Sequence, residues 1–332
     1  MAERKIPRKT NFWIRIPNWL GDVIMCLPLI TALARARPDV SLTLVAKEEF
    51  IPLLKLLKVG HDYLSLPKKK GLAYYIEFWK KCNFLPECYL LFTNSIRGDL
   101  ESILSGSDQR FGLLLPKRSR PILSHFYSAD NLTEHELCTL HQTRLWEKML
   151  NHFGMVEKIS SGNLITNKSR VNPCKIGIIP GSSNDPSKRW ALHNWISLIK
   201  QILAEHGEFE IFLYGSRDDN LISAPIIEKV NSSKIFNLTG KTSLCDFASE
   251  LKSCSLLIGN DSGGMHLANS LSIPVIFLYG PTNPLITGPF YDSAKSILQP
   301  VGCPPSGGYS ISDISVDEVL AETRKQISSI LH

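Results

Sequence analysis

Short β-branched and aromatic runs alternate with helical patterns along the whole chain, and this alternation restricts the fold more than any other feature. Asn11–Pro17, Ser41–Ala46, Tyr63–Pro67 and Cys88–Thr93 read as strands, with helices expected at Asp22–Arg37, Phe50–Leu57 and Leu72–Cys82. His135–Phe153 reads as one long amphipathic helix, because Leu137, Leu140, Leu145, Met149 and Leu150 fall roughly at helical spacing. Ser160–Pro173 has no sustained period and is rich in Ser, Asn and Gly, which marks a border. Beyond it, strands are expected at Lys175–Pro180, Glu210–Tyr214, Lys234–Leu238, Ser255–Gly259 and Pro274–Tyr279. Helices are expected at His193–Glu205, Asp219–Val230, Leu244–Ser253, His266–Leu271 and Val316–Leu331. Such alternation produces a parallel sheet covered on both faces. The expectation is therefore an α/β chain of two doubly wound domains, residues 1–165 and 166–332. Ligands of such sheets bind beyond the carboxyl ends of the strands, so the default site is the cleft where the halves meet.

Composition narrows the function classes. The 332 residues are 43% hydrophobic, too apolar for a disordered chain. No apolar run approaches the roughly 18 residues of a transmembrane span. The basic start, residues 1–9, is not followed by a signal-peptide core, so a cytoplasmic protein is expected. Its eight cysteines are scattered, without a C-x-x-C pair or a histidine at zinc spacing, and read as free buried thiols. A net charge of +6 is mild, but it clusters at Lys68-Lys69-Lys70, Lys80-Lys81 and Lys117-Arg118-Ser119-Arg120. A basic face of this kind meets anionic lipid or a phosphorylated substrate, or only solvates the surface. Nothing interleaves aromatic and basic residues in the manner of a nucleic-acid-binding module, and no nucleic-acid partner is expected.

Three strand-to-helix turns carry chemistry. In Leu256–Ala268 an apolar strand runs into Asn260-Asp261-Ser262-Gly263-Gly264, and a helix follows. Amide groups of Ser262, Gly263 and Gly264 at a helix start favour a phosphate, and Asp261 can bond a sugar hydroxyl; the plainer reading is an ordinary N-cap. In Ile178–Trp190 a strand ends at Pro180-Gly181-Ser182-Ser183, followed by Lys188 and Arg189, which suit a diphosphate or a solvated surface. Neither this turn nor Gly240-Lys241-Thr242 is a P-loop. The third turn, Pro17-Asn18-Trp19-Leu20-Gly21-Asp22, holds one carboxylate able to serve as a general base or as a helix cap. It lacks the G-x-G-x-x-G pattern of a dinucleotide site, which argues against an NAD enzyme.

Taken together, PNWLGDVIMCLP, PGSSNDPSKRW and GNDSGGMHLANSLSIPVIFLYGPTNPLITGP resemble glycosyltransferase family 9, the ADP-heptose:lipopolysaccharide heptosyltransferases, and most closely its heptosyltransferase II branch. Asn94-Ser95-Ile96-Arg97 and Arg110-Phe111-Gly112 are weaker matches. The resemblance implies a GT-B fold of two Rossmann-like domains, with acceptor on the first and nucleotide-sugar on the second. It also implies an inverting transfer that needs no metal and no separate cofactor. By the same matching, Asp22 is the catalytic base, and Ser182, Ser183, Lys188, Ser262 and Gly263 hold the donor diphosphate. Asp261 lies by the donor sugar or ribose, and Thr242 lines the adenine pocket. The implied partners are ADP-heptose and a lipid-anchored acceptor of Kdo or heptose on lipid A, reached by peripheral contact with the inner face of the cytoplasmic membrane. The stretch after residue 300 keeps one cysteine, Cys303, where many relatives have several. In Gly215–Asp219, Asp218 is the better match for an acidic residue common in the family. Two other readings stay open: transfer of a different nucleotide-activated sugar, and a catalytically silent nucleotide-sugar binder.

Overall fold

The computed structural model describes residues 11–82, 85–164, 172–182 and 185–331. The basic start of the chain, half of the expected linker (residues 165–171) and Ser183 lie outside the described residues. Packing divides the chain into two compact units, 1–160 and 161–332.

The first unit runs β1 (Asn11–Arg15), α1 (Leu20–Ala36), β2 (Ser41–Ala46), α2 (Ile51–Leu56), β3 (Asp62–Ser65), α3 (Leu72–Lys81), β4 (Cys88–Leu91), α4 (Ile96–Leu104), β5 (Gln109–Leu114), β6 (His125–Ser128), α5 (Glu134–Thr139) and α6 (Gln142–His152). Its strands form one sheet, β3-β2-β1-β4-β5-β6. All pairings are parallel, with Phe12 of β1 opposite Leu42 on one side and Cys88 on the other. Strand order therefore reverses between β1 and β4, which is where a doubly wound sheet opens a crevice. On one face Tyr74 and Phe78 of α3 pack with Trp13, Val45, Tyr89 and Leu91 of the strands.

The second unit repeats the plan with β7 (Lys175–Ile179), α7 (Leu192–Glu205), β8 (Glu210–Leu213), α8 (Asn220–Val230), β9 (Ile235–Asn237), α9 (Leu244–Leu251), β10 (Leu256–Asn260), α10 (Gly263–Ser270), β11 (Val275–Leu278), α11 (Pro284–Thr287), β12 (Lys295–Leu298) and α12 (Val316–Leu331). The sheet order is β12-β11-β10-β7-β8-β9, so the switch point lies between β7 and β10. Both central strands are buried along their whole length, and their apolar stretches, residues 176–179 and 256–259, suit a sheet covered on both faces. Trp190 and Trp195 pack edge to face at 4.9 Å within the core formed with α12, and the Trp190 indole donates to the Ile314 carbonyl at 2.9 Å. No helix of the described residues is long and apolar enough to cross a membrane.

Two expectations fail for local reasons. The long helix expected at His135–Phe153 is two helices. Leu140 is extended (φ −77°, ψ 120°), and the His141 side chain then accepts from the Thr143 amide and caps α6. The basic cluster ending at Arg120 is a surface patch only in part, since Lys117 and Arg118 are exposed and Arg120 is not. Arg120 is buried in an ion pair with Asp99, and its guanidinium donates to the carbonyls of Leu113 and Thr93. It therefore ties together the ends of β4 and β5. Arg118, though exposed, donates to the Asn94 carbonyl at 2.9 Å, and Lys117 beside it also faces outward.

Removing one partner of a buried pair strands the other charge. We expect Arg120→Ala to destabilise the protein by about 3–5 kcal/mol, seen as a lower denaturant midpoint. Lys117→Glu, on the surface, should shift it by less than about 1 kcal/mol. Equal midpoints for wild type and Arg120→Ala would mean that the pair does not hold these strand ends.

Candidate functional site

In the first unit a cavity of about 240 Å³ opens at the switch point. Its lining comes from the turn after β1 (Pro17, Asn18, Trp19, Asp22), the segment after β4 (Thr93, Asn94, Ser95) and residues of β5 and α6. The sequence places Asp22 either as a cap or as a base. Trp19 occupies the N-cap position of α1, and Asp22 sits within the first turn, so it is not the cap. Its carboxylate faces the cavity from the positive end of α1, where the helix dipole favours its charge.

The turn that carries Asp22 is braced from beneath. Arg15, fully buried at the end of β1, donates to Glu101 at 2.6 Å, to the Asn18 side chain at 2.9 Å and to the Ile16 carbonyl. Glu101 also accepts from the Tyr74 hydroxyl. Burial, together with the Glu101 charge, pushes the Tyr74 hydroxyl far above its ordinary value, so it stays a donor. On the opposite wall the Thr93 hydroxyl and the Asn94 amide nitrogen are buried without a hydrogen-bond partner among the described residues. Unmet polar groups lining a cavity are sites for a polar ligand. Sequence reasoning passed over Thr93. Asn94-Ser95, read only as a weak match, was the available signal.

In the second unit two of the residues expected at a donor site, Lys188 and Asp261, come together. Lys188 lies at the end of a short turn of helix after β7, and its ammonium donates to Asp261 Oδ2 at 2.7 Å. Thr282 donates to the same oxygen at 2.9 Å, and His266 Nε2 lies 3.7 Å from Oδ1. Burial alone would raise the Asp261 pKa; the imidazole of His266 and the Lys188 charge outweigh it and hold the carboxyl at about 2. Lys188 and Asp261, assigned separately to phosphate and sugar in the sequence, thus form one ion pair in this structure.

Neighbouring groups fix the pair. Asn260 donates to the Pro180 carbonyl at 2.7 Å and accepts from the Trp190 amide, locking the β7 turn against β10. Arg189 is spent on structure, since both its Nε and Nη2 donate to the Ser182 carbonyl. Ser182 is buried at this turn. Ser262 stands at the N-cap position of α10, yet its hydroxyl caps nothing and is buried without a hydrogen-bond partner among the described residues. Gly263 and Gly264 follow as the first helical residues, whose amides have no intrahelical acceptor. At Gly264 a side chain is excluded by packing, because a Cβ would lie 2.7 Å from Ile179 Cδ1.

Thr242 lies after β9, just before α9, in a loop joined to the turn after β8 by the bond from the Gly240 amide to the Gly215 carbonyl. Within that β8 turn Asp218 is exposed. It is Asp219 that is buried: it accepts from the Ser216 amide and hydroxyl, and its second oxygen has no partner among the described residues. A Cβ on Gly181 would fall 2.1 Å from that oxygen, so the β7 turn requires glycine for Asp219 to approach. Asp219 turns inward through the local capping box that it forms with Ser216, and Asp218, the better match in the sequence, stays exposed beside it.

Comparisons with known proteins give relatives for the chain as a whole. Residues 146–310 match the family model of glycosyltransferase family 9 (heptosyltransferase). Lipopolysaccharide heptosyltransferase 2 of Escherichia coli is 28% identical across 92% of this chain and 95% of its own length. That of Salmonella typhimurium is 26% identical across 94% and 97%. Among solved structures, E. coli ADP-heptose LPS heptosyltransferase II superposes with a TM-score of 0.75 at 20% identity, covering 97% of this chain and all of that one. An E. coli heptosyltransferase determined with ADP gives 0.74 at 15% identity, covering 95% and 99%. At these identities the superpositions establish the fold.

The carboxyl pKa gives a pH signature. Asp261 titrates lower in the folded state, near 2, than at its ordinary 3.8. The stability it contributes, about 2 kcal/mol, is therefore present above pH about 4 and is lost as pH falls toward 2. Urea unfolding of wild type and Asp261→Asn should show a constant gap from pH 7 to about 5 that narrows below about 4. A gap unchanged at pH 3 would remove the ionised pair as its source.

Proposed function

We propose that this chain, a glycosyltransferase of family 9, moves a heptose from ADP-heptose to the inner core of lipopolysaccharide. The support that weighs most is its alignment with heptosyltransferases 2 over nearly the whole chain. Both candidate sites also carry groups suited to the reaction.

In this reading the second unit binds the donor and the first unit the acceptor. A sugar hydroxyl is a weak nucleophile, and Asp22 accepts its proton as the new C–O bond forms. The departing ADP gains charge on its β-phosphate. Lys188, the turn at Ser182 and Ser183, and the amides at Ser262 and Gly263 stabilise that charge. Asp261 orients the donor sugar or ribose while holding the ammonium of Lys188. Thr242 borders the adenine. Attack from the side opposite the leaving group inverts the anomeric carbon, with no step that requires a metal. The acceptor is a Kdo- or heptose-bearing lipid A, so the protein works at the cytoplasmic face of the membrane while remaining peripheral to it.

Incubation with ADP-heptose and a heptose-bearing acceptor, followed by mass spectrometry, should show one added heptose and released ADP. A panel of other nucleotide sugars tests the donor; preferred use of one of them would replace the heptose. Asp22→Asn keeps the shape but removes the basicity, and turnover should fall about 10²–10⁴-fold with ADP affinity nearly unchanged. Wild-type turnover in that variant would dismiss Asp22 as the base.

Lys188→Ala removes a charge-assisted contact of about 1.5–3 kcal/mol, so calorimetry should report ADP binding weakened about ten- to hundredfold. Unchanged affinity would detach Lys188 from the diphosphate.

A further inference from the structure

Helix α3 has two apolar faces, and the core of the first unit accounts for only one. Tyr74 and Phe78 are buried against the sheet. Leu72, Ile76 and Trp79, spaced i, i+4, i+7, form a stripe on the opposite side and are exposed by 75%, 49% and 61%. Three consecutive turns of exposed large apolar side chains are a costly surface for a protein in water, and such patches mark interaction sites.

Charge on the flanks identifies the partner. Lys68, Lys69 and Lys70 immediately precede the helix, and Lys80 follows Trp79; all four are exposed. Lys68 pairs with Glu48 and Lys69 with Glu77, in solvent-exposed contacts that are easily exchanged. Lys70 and Lys80 have no ion-pair partner among the described residues. An apolar stripe with a tryptophan, bordered by lysines, has the chemistry of a helix lying in a membrane interface: apolar side chains enter the acyl boundary, and ammonium groups meet anionic headgroups.

Position supports the same partner. Helix α4 packs beside α3, with the Arg97 guanidinium 5.1 Å from the Tyr74 ring centre. It adds Ile96, exposed by 78%. Ser95, the N-cap of α4 and the neighbour of Ile96, lines the cavity that holds Asp22. An exposed apolar side chain therefore directly follows a residue of the cavity wall, on the helix beside α3.

We infer that the outer face of α3, through Leu72, Ile76 and Trp79 with Lys70 and Lys80 at its borders, docks the protein on an anionic phospholipid surface. Its use in presenting a lipid-anchored acceptor rests on the proposed function; the docking itself does not.

Co-sedimentation of the full chain with phosphatidylglycerol–phosphatidylcholine vesicles tests this. Wild type should bind, and bind less at high salt or to phosphatidylcholine alone. The triple variant Leu72→Gln/Ile76→Gln/Trp79→Gln should partition at least about tenfold more weakly. Lys70→Glu/Lys80→Glu should lose most of the salt-sensitive part. Since all five side chains are exposed, both variants should keep the wild-type melting temperature, and transfer to a delipidated, water-soluble acceptor should persist. As a readout independent of folding, brominated lipids should quench wild-type tryptophan emission more than that of Trp79→Phe. Failure of wild type to bind anionic vesicles, or equal binding by the triple variant, would overturn the inference, even with transfer to the soluble acceptor intact. So would a wild-type dimer that the triple variant dissociates in sedimentation velocity, because a second copy would then be the occupant. Absence of transfer with vesicle binding retained would strike the proposed function and not the docking surface.

Discussion

Carbonyl groups at the ends of parallel strands set the constraint on which the rest of this structure depends. At a switch point adjacent chains leave the sheet toward opposite faces, and the last carbonyls lose their ladder partners. A buried, unsatisfied backbone group costs about 1–3 kcal/mol. The protein answers with side chains: Arg15 donates to Ile16, Arg120 to Thr93 and Leu113, Asn260 to Pro180, and Arg189 to Ser182. Each contact fixes a turn bordering a candidate site. The satisfaction of the fold and the rigidity of the chemistry are thus one set of bonds. Buried arginines bring their own requirement, and Glu101 and Asp99 meet it. Catalytic groups on such turns need no further ordering when a ligand arrives, which is the condition for electrostatic stabilisation to act on a transition state.

The two units handle polar capacity differently. In the second, Lys188 and Asp261 satisfy each other, with Thr282 closing the remaining angle. Because the carboxyl is held at about 2, it stays ionised under physiological conditions and keeps a charged ammonium beside the β7 turn. An incoming anion competes with Asp261 for Lys188 and does not have to draw the lysine from solvent. The first unit leaves the Thr93 hydroxyl and Asn94 amide unpartnered at the cavity. A ligand hydroxyl bonding there removes a penalty already present in the free protein. The first site gains partners, and the second exchanges them at Lys188 while its Ser262 hydroxyl also stands unpartnered among the described residues.

Much of this was legible in the sequence, and the failures have definable causes. Strands β1, β4, β7, β10 and β11 are dense apolar runs because they are central and covered on both faces, and the two-domain α/β reading followed from them. Strands β5, β6 and β12 were passed over. They begin with Gln-Arg, His and Lys and are partly exposed, so neither an unbroken apolar run nor clean alternation marks them. The spacing of leucines continued through Leu140, but it records which residues face inward and does not register a change of backbone direction at one residue. Glycine-rich turns beside Asp22 and Asp261 were legible because backbone geometry is local. That Arg120 belongs inside and that Lys188 and Asp261 meet depend on partners 21 and 73 positions away, which no local pattern carries, whereas Asp219 turns inward through Ser216, only three positions before it.

Helix α3 illustrates the limit from the other side. Its periodicity correctly gives a helix, and composition alone would assign all of its apolar residues to a core. The fold shows that a ten-residue helix against a sheet has room for only part of them: Tyr74 and Phe78 occupy the space over Trp13 and Tyr89, and Leu72, Ile76 and Trp79 are left facing water. A chain selected only for stability would carry polar residues at those three positions, since they gain nothing from the core and raise the risk of association. Their neighbours are lysines, which oppose self-association of this face through mutual repulsion while favouring an anionic surface. An apolar stripe that the core does not use, bordered by an excess of lysines over the acidic residues Glu48 and Glu77, is therefore better explained by an anionic partner than by packing.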